Sequence, residues 1–148
     1  MESTSHVCGG RSEDERGVVL FVNDLDLRAY RRLYVVANHD VGFVRAWHGH
    51  RVEGKAVIVV RGSALVAAVR IDDWDNPSSD LPVERRLLSA DSPGAFVIPP
   101  GYANGCMTVT DDARVLYLST TTLDESLADD IRFPSDTWAI GDPGAFIA

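Results

Sequence analysis

Nine short apolar runs, each ended by turn-forming residues, constrain the fold of this 148-residue chain more than any other feature. The runs are VVLFV, RRLYVVA, FVRAWH, AVIVV, ALVAAVRI, RRLL, AFVI, CMTV and RVLYLST. Each has the length of a strand and is rich in Val, Leu, Tyr and Phe, while Gly, Asn, Asp and Pro fill the gaps. No stretch has the period of a long amphipathic helix. The pattern predicts an all-β protein of eight or nine strands, folded as a sandwich, a jelly roll or a small barrel.

Polar and turn residues along the chain predict a single domain. Residues 1–13 are polar and contain glycine, so we expect a mobile N-terminal segment followed by one domain over residues 14–148. Gly62, between two apolar runs, predicts a tight hairpin turn with a positive φ. Residues 72–82 predict a surface loop, and residues 123–133 predict one short helical turn.

Charge and hydropathy exclude several classes of function. The formal net charge of −8 repels polyanions, so we predict no nucleic-acid binding, although a small anion could bind where arginines and lysines converge. The apolar runs are too short to cross a bilayer and the first residues lack a signal-peptide core, which predicts a cytoplasmic protein without membrane association. Cys8 and Cys106 form neither a disulfide framework nor a paired metal motif, and we expect Cys106 to pack in the core.

The most distinctive stretch is GFVRAWHGHRVEGK, residues 42–55, in which two histidines are separated by one residue. It could be a metal site, an acid/base site or a pair of hydrogen-bonded interior histidines. Because side chains alternate across a strand, four residues are predicted to share one face: Val44, Ala46, His48 and His50. The same alternation puts Arg45 on the opposite face unless a bulge or bend lies between Trp47 and Gly49.

The spacing around this stretch resembles the first motif of the cupin superfamily, whose fold is a double-stranded β-helix of the jelly-roll type. That motif places a Gly, two His, a Glu and a second Gly at fixed intervals. This chain has Gly42, His48, His50, Lys55 and Gly62 at those intervals. The resemblance implies a cupin jelly roll in which a lysine replaces the metal-binding glutamate.

The second cupin motif ends in a third histidine, but here PPGYAN, residues 99–104, ends in Asn104. A mononuclear cupin metal site uses three imidazoles and a carboxylate, so two of its four ligands are replaced. The ammonium group of Lys55 repels a cation, and an amide oxygen is a weak ligand for a transition metal. We therefore predict neither a metal nor another cofactor.

Five segments, in chain order, resemble the dTDP-4-dehydrorhamnose 3,5-epimerases: DERG (14–17), RAWH (45–48), KAVIVVRG (55–62), IPPGYANG (98–105) and VLYL (115–118). Residues 31–51 resemble the dTDP-4-keto-6-deoxyglucose 3,4-ketoisomerases, in which Arg-x-Tyr precedes Arg-Gly-x-His-x-His. Both resemblances imply an isomerase that acts on a nucleotide-diphosphate 4-keto-6-deoxy sugar. They also imply a homodimer, with the VVLFV strand as a candidate for crossing to the partner sheet.

The resemblances imply catalytic roles for four residues. In the epimerase scheme His48 removes the proton beside the C4 ketone, Lys55 stabilises the enolate and Tyr117 returns a proton to the opposite sugar face. The ketoisomerase scheme adds His50 as a partner of His48. The structural alternatives are interior hydrogen-bonded histidines, a surface lysine and a strand aromatic packed in the core.

Four further residues are implied to bind substrate: Arg16, Tyr34, Arg45 and Asn104. The two arginines match those that hold the nucleotide diphosphate, a task suited to a planar, permanent charge, with a solvated side chain as the alternative for Arg16. Tyr34 matches the ketoisomerase tyrosine and Asn104 replaces a family histidine; sheet packing and turn chemistry are their alternatives. The acidic residue that orients the epimerase histidine has no counterpart by spacing, since Asp142 is the only acidic residue after Trp138.

The first hypothesis is thus a metal-independent epimerase that inverts C3, C5 or both. The second is a 3,4-ketoisomerase of the same substrates that uses His48 and His50. The third is a non-catalytic cupin that binds a sugar or a small carbonyl compound, because a fold alone does not establish a function.

Overall fold

A computed structural model describes residues 2–146 of the chain. The described residues form twelve strands and one α-helix: β1 (Ser5–Cys8), β2 (Gly10–Asp14), β3 (Gly17–Phe21), β4 (Arg32–Val36), β5 (Val44–His50), β6 (Lys55–Arg61), β7 (Ser63–Arg70), β8 (Glu84–Ser89), β9 (Gly94–Ile98), β10 (Tyr102–Thr108), β11 (Arg114–Ser119), α1 (Leu123–Ala128) and β12 (Ile131–Arg132). A short 3-10 helix follows at Pro143–Ala145. No helix within residues 2–146 is long and apolar enough to span a membrane.

Ten of these strands form two five-stranded antiparallel sheets. The first sheet has the order β1-β9-β6-β11-β4, and the second has the order β12-β5-β10-β7-β8. β2 and β3 form a separate hairpin. Most neighbouring strands in each sheet are distant in sequence, as in a jelly roll. The predicted all-β cupin fold is confirmed.

The two sheets face each other across an apolar core. The first sheet contributes Val57, Val59, Phe96 and Val115, and the second contributes Val66, Ala68 and Cys106. Cys106 is 1% exposed, so its predicted place in the core is confirmed. Where polar side chains replace the apolar ones between the sheets, the cavity described below opens.

The outer face of the second sheet is buried as well. Residues of β7 and β10 pack there against Trp138 and Ile140, which follow β12 in the chain. Both the side chain and the main chain of Trp138 are hydrogen-bonded. Its indole N–H donates to the main-chain oxygen of Ser78, and its carbonyl oxygen accepts from the indole of Trp47. Burial on both faces explains why the β7 run ALVAAVRI is apolar without alternation.

The nine predicted strands are all present, as β3 to β11. Gly62 has a φ of +67° in the turn between β6 and β7, so the predicted tight turn with a positive φ is confirmed. The predicted hairpin is wrong, because β6 and β7 do not pair and lie in different sheets. The predicted helical turn is α1, which begins with a capping box between Thr122 and Glu125. The predicted loop over residues 72–82 contains neither helix nor strand.

The segment 1–13 contains strands that the sequence pattern did not predict. β1 pairs with β9 at the edge of the first sheet, and β2 pairs with β3. Polar residues suit both strands, because an edge strand and an exposed hairpin keep one side in water. The mobility of this segment and the domain boundary at residue 14 stay predictions.

Candidate active site

A cavity of about 460 Å³ opens between the two sheets. This volume lies in the range of small-molecule sites, about 300–1,000 Å³. The cavity lining includes seven of the eight site residues predicted from sequence: Tyr34, Arg45, His48, His50, Lys55, Asn104 and Tyr117. Four polar residues that were not predicted also line it: Arg32, Ser126, Asp130 and Arg132.

A bulge in β5 sets the direction of the side chains on this strand. β10 pairs Asn104 with His48 and then Gly105 with Ala46, so Trp47 has no partner on β10. An extra residue on one strand reverses the alternation of side chains beyond it. The residues before and after Trp47 therefore do not follow one period of two.

The bulge brings Arg45 to the same cavity as His48 and His50. Val44 and Ala46 instead pack against the cluster on the outer face of the second sheet. The prediction that Val44 and Ala46 share a face with the histidines is wrong, because strict alternation assumes that no residue is skipped. The bulge or bend over Trp47 to Gly49 on which the prediction for Arg45 depended is present, at Trp47. We call the cavity side formed by His48 and His50 the histidine wall.

His50 is the more deeply buried of the two histidines, at 4% exposed. Its Nδ1 donates to the main-chain oxygen of Asp129 over 2.9 Å and lies 3.1 Å from Glu53 Oε2. Its Nε2 is buried and has no hydrogen-bond partner among the described residues. Burial first, and the charge of Lys55 second, lower the pKa of His50, while Glu53 opposes the shift. The Asp129 carbonyl can only accept, so the neutral imidazole carries its proton on Nδ1.

His48 has a more open environment, with 28% of its side chain exposed. Its Nδ1 is 3.9 Å from Asp130 Oδ1, which is longer than a hydrogen bond. Burial, followed by the charges of Lys55 and Arg132, lowers the pKa of His48 to about 4. His48 is therefore neutral at physiological pH. The carboxylate within 4 Å of it belongs to Asp130 and not to Asp142.

Tyr34 and Tyr117 lie on the opposite side of the cavity, in the first sheet. They are paired directly in β4 and β11, and their rings stack with centroids 5.1 Å apart and planes 4° apart. Burial is the main cause that raises the pKa of each phenol, so both hydroxyls keep their protons. We call Tyr34, Tyr117 and the neighbouring Lys55 the tyrosine wall.

Lys55 is buried beside the two tyrosines, at 7% exposed. Its Nζ is 2.7 Å from Tyr34 Oη and 5.4 Å from the centroid of each tyrosine ring. Burial lowers the pKa of Lys55, and the Glu53 carboxylate, 3.8 Å from Nζ, opposes this shift. Lys55 is thus a cavity residue, and the alternative of a surface lysine does not hold.

The cavity is lined by cationic groups although the chain carries a net charge of −8. Arg32 pairs with Glu53 over 2.9 Å and Arg132 pairs with Asp130 over 3.1 Å. Arg45 makes no ion pair with the residues that the structure describes. Its guanidinium is therefore available to an anion at the cavity.

Two predicted binding residues are placed differently from the rest. Arg16 lies in the turn of the β2–β3 hairpin, where its side chain is 84% exposed and paired with Asp14, and it does not line the cavity. Asn104 does line the cavity, and its amide donates to the main-chain oxygen of His48 over 3.2 Å. Asn104 thus supports the backbone of β5 at the histidine wall.

Sequence reasoning missed Glu53 and Asp129, which lie behind the cavity. The Glu53 side chain is fully buried. The Asp129 carboxylate accepts from the main-chain N–H groups of Arg51, Val52 and Glu53, each over 2.9 Å, and so fixes the loop that carries Glu53. The signal for Glu53 was present, since an acidic residue three positions after His50 stands inside the motif.

The described residues place acid/base groups around the cavity. No group of three or more His, Cys, Asp or Glu side chains within residues 2–146 is arranged to hold a metal ion. Neutral imidazoles form one wall, and phenols with a lysine form the other. Such a set can remove a proton from carbon, stabilise the anion that forms and return a proton.

The sequence model of a sugar-nucleotide enzyme family, dTDP-4-dehydrorhamnose 3,5-epimerase, matches residues 11–141. No curated protein matches the chain by sequence. Several solved structures share its fold, all at less than 25% sequence identity.

One is the rmlC epimerase of Mycobacterium tuberculosis, with a TM-score of 0.66 and 18% identity; the match covers 80% of this chain and 64% of that protein. A second is a 4-keto-6-deoxy sugar epimerase from the novobiocin biosynthetic gene cluster of Streptomyces spheroides, with a TM-score of 0.69, 24% identity, and coverage of 87% and 68%. A third is a sugar 3,4-ketoisomerase of Thermoanaerobacterium thermosaccharolyticum in complex with TDP, with a TM-score of 0.67, 18% identity, and coverage of 90% of both chains. These likenesses show the fold.

Proposed function

Since the chain belongs to the dTDP-4-dehydrorhamnose 3,5-epimerase family, we propose that it is an isomerase of nucleotide-diphosphate 4-keto-6-deoxy sugars that inverts C3, C5 or both. Membership of the family and the shared fold support epimerisation or 3,4-ketone migration on this class of substrate. Both reactions begin with the removal of a proton from a carbon beside the C4 ketone. The proposal assigns every step to side chains of this protein.

The observation that carries the proposal is the arrangement of two unlike walls around one cavity. The histidine wall belongs to the second sheet and the tyrosine wall belongs to the first. A sugar ring held between them presents one face to an imidazole and the other face to a phenol. Removal of a proton on one face and its return on the other inverts the carbon.

The reaction balances with these groups alone. An imidazole of the histidine wall takes the proton from carbon, and the electrons of the C–H bond move into the C4 carbonyl to form an enolate. A tyrosine then gives its hydroxyl proton to the same carbon from the opposite face, and the ketone forms again. The imidazolium and the tyrosinate return to their starting states by proton exchange with water.

Lys55 supplies the positive charge that these steps need. Its Nζ is 2.7 Å from Tyr34 Oη, so it stabilises negative charge that develops on that tyrosine. Its place on the cavity lining also allows it to stabilise the enolate oxygen. The resemblance assigns the proton return to Tyr117, which stacks on Tyr34, and this assignment stays a prediction.

Arg45 and Arg132 are the groups proposed to bind the diphosphate. Both line the cavity, and planar guanidinium groups bind phosphate oxygens through paired hydrogen bonds. Arg45 has the stronger case, because Arg132 already pairs with Asp130.

A 3,4-ketoisomerase is the second candidate, and the histidine wall favours it. His48 and His50 lie two residues apart on one side of the cavity, so a proton taken from C3 could return to C4 on the same face. The ketone would move to C3 without inversion between faces. Tyr34, with its partner Lys55, would then transfer protons at the oxygen atoms of C3 and C4.

The experiment that tests the proposal is incubation of dTDP-4-keto-6-deoxyglucose with the protein in heavy water, followed by NMR of the sugar. Deuterium at C3 or C5 with inversion supports the epimerase, and a ketone at C3 supports the ketoisomerase. A double variant, His48→Asn with His50→Asn, should show no exchange. If the wild type shows no exchange with sugars linked to any of several nucleotide bases, both enzyme proposals fail and the sugar-binding cupin remains.

A homodimer is also proposed. β3 pairs only with β2 among the described strands, and its apolar residues Val18, Val19 and Leu20 are exposed. A strand of this kind can be covered by the sheet of a second copy. Sedimentation equilibrium should give twice the chain mass, and a monomer at micromolar concentration contradicts the proposal.

A further inference from the structure

Glu53 lies in the turn between β5 and β6, behind the cavity lining. Its carboxylate contacts three basic groups that do line the cavity. Arg32 Nη2 is 2.9 Å from Oε1, while His50 Nδ1 and Lys55 Nζ are 3.1 Å and 3.8 Å from Oε2. The carboxylate therefore joins both walls of the cavity from behind without facing the substrate space.

Three hydroxyl groups fix the carboxylate in this position. Ser119 and Thr121 donate to Oε1, and Ser126 donates to Oε2 over 3.3 Å. Burial opposes the ionisation of Glu53, but the hydrogen bond from Ser119 and the charge of Lys55 keep the pKa of the carboxyl below its usual value. Glu53 is therefore a buried anion whose two carboxylate oxygens both accept hydrogen bonds.

The contacts of His50 define which of its nitrogens can react. Nδ1 faces two acceptors, the Asp129 carbonyl oxygen and the Glu53 carboxylate, so it must carry the proton of the neutral ring. Nε2 then has a free lone pair, is buried, and has no partner within the described chain. His50 lines the cavity, and because its Nδ1 is occupied, Nε2 is the ring nitrogen left to accept a proton.

We propose that Glu53 is a positioning residue for the isomerisation, which stabilises the imidazolium formed when His50 Nε2 takes the proton of the substrate. The inference rests on the proposed function and makes His50, not His48, the base. His48 has no carboxylate within hydrogen-bond distance, since its nearest contact to Asp130 is 3.9 Å. A buried carboxylate close to Nδ1 of an imidazole favours the charged form of that ring.

Three charged groups face His50 from the elements around it: Glu53 from the turn, Lys55 from β6 and Asp129 from the end of α1. Replacing Glu53 by Gln keeps the shape of the side chain but removes its charge. Of the two carboxylates that oppose the charge of Lys55 at His50, only Asp129 then remains. The imidazolium becomes less stable, and the pKa of His50 should fall below its wild-type value.

The first test is NMR of the protein labelled with nitrogen-15 at histidine, without substrate. Wild-type His50 should show a protonated Nδ1 and an unprotonated Nε2, and Glu53→Gln should lower the pKa of His50. A wild-type proton on Nε2, or an equal pKa in both proteins, would overturn the inference. The wild-type tautomer can be measured even if Glu53→Gln does not fold.

The second test compares kinetics. Glu53→Gln should lower kcat on the order of 100-fold, the scale of one acid/base contribution, with little change in KM, and should move the acidic limb of the pH–rate profile to lower pH. Glu13→Gln is the matched control, because it makes the same change at an exposed carboxylate that is paired with Arg11 and does not line the cavity. Glu13→Gln should leave the pKa of His50 and the pH–rate profile unchanged.

The failure of this inference and the failure of the proposed function are distinguishable. If the wild type does not isomerise the sugar but the His50 tautomer and the pKa shift are observed, the function is wrong and the Glu53 contact is right. If the wild type is active but Glu53→Gln and Glu13→Gln have the same kinetics and the same pH–rate profile, the positioning role is overturned.

Discussion

The two ends of the histidine wall differ in what lies behind each imidazole. At the buried end, His50 has a carbonyl oxygen and a carboxylate at its Nδ1 and a free Nε2. At the more exposed end, the nearest carboxylate oxygen to His48 Nδ1 is 3.9 Å away. Arg45, on the same strand, is exposed. Two residues of separation along one strand therefore produce two different chemical environments.

The surroundings of Nδ1, rather than the position in the motif, therefore decide which histidine can act as a base. A neutral imidazole is a useful base when its protonated form is stabilised. The pKa of His48 is lowered to about 4, and the structure gives that ring no close anion. We expect the buried end to carry the chemistry and the exposed end to carry binding.

The largest expected effect comes from replacing each of the two histidines separately. His50→Asn should lower the rate of deuterium incorporation about 10³-fold, within the range of general base catalysis. His48→Asn should lower it less than about tenfold, because a hydrogen bond to substrate is the smaller contribution. Exchange rates in heavy water measure both. A larger loss for His48→Asn would restore the assignment that the epimerase resemblance implies.

The positive charge of Lys55 acts on both histidines, since it lowers the pKa of both imidazoles. Lys55→Met should raise both pKa values and still lower kcat about 100-fold, because the enolate loses its electrostatic partner. Stopped-flow or steady-state kinetics with NMR titration of the histidines measure the two effects separately. An unchanged kcat would remove Lys55 from the mechanism.

Replacement of Arg45 tests the proposed binding of the diphosphate near the exposed end of the histidine wall. Arg45→Ala should raise KM about tenfold with little change in kcat, which is the loss expected for one charged hydrogen bond to a phosphate. Arg28→Ala is the matched control, because Arg28 is an exposed arginine paired with Asp26 away from the cavity. Equal KM values for the two variants would show that the diphosphate binds elsewhere.

The smallest effect is on stability. The folded protein holds the pKa of His48 at about 4 against an ordinary value of 6.5, so between these values the unfolded chain binds the proton more tightly. The free energy of unfolding should therefore fall as the pH is lowered from 6.5 towards 4. His48→Gln should lose less stability than the wild type over this interval. Urea denaturation across it measures the difference, and parallel curves would contradict the lowered pKa.

The sequence predicted the strands, the tight turn at Gly62 and most of the cavity residues because these depend on local pattern or on family motifs. It did not predict that this turn joins two different sheets, because strand pairing is set by the fold. It did not predict Glu53 or Asp129, because their contacts are set by the fold. Ser119 is 66 positions from Glu53, and Asp129 is 79 positions from His50. No spacing rule reaches over such distances.

Two other differences have local causes. The bulge at Trp47 is invisible to a rule of strict alternation, which is why Ala46 was placed on the wrong face. β1 and β2 are polar edge and hairpin strands, so they lack the apolar signal by which strands are found. Arg16 matches a family motif, but it lies on this hairpin and outside the cavity.

The most direct test of the two-wall account is a crystal structure of the His50→Asn variant with dTDP-4-keto-6-deoxyglucose bound. We expect a sugar ring between the histidine and tyrosine walls, with C3 or C5 facing the side chain at position 50 at about 3–3.5 Å, the separation of reacting atoms in a productive complex. The diphosphate should contact Arg45. A sugar ring outside the cavity, or one whose C3 and C5 face away from position 50, would contradict the account.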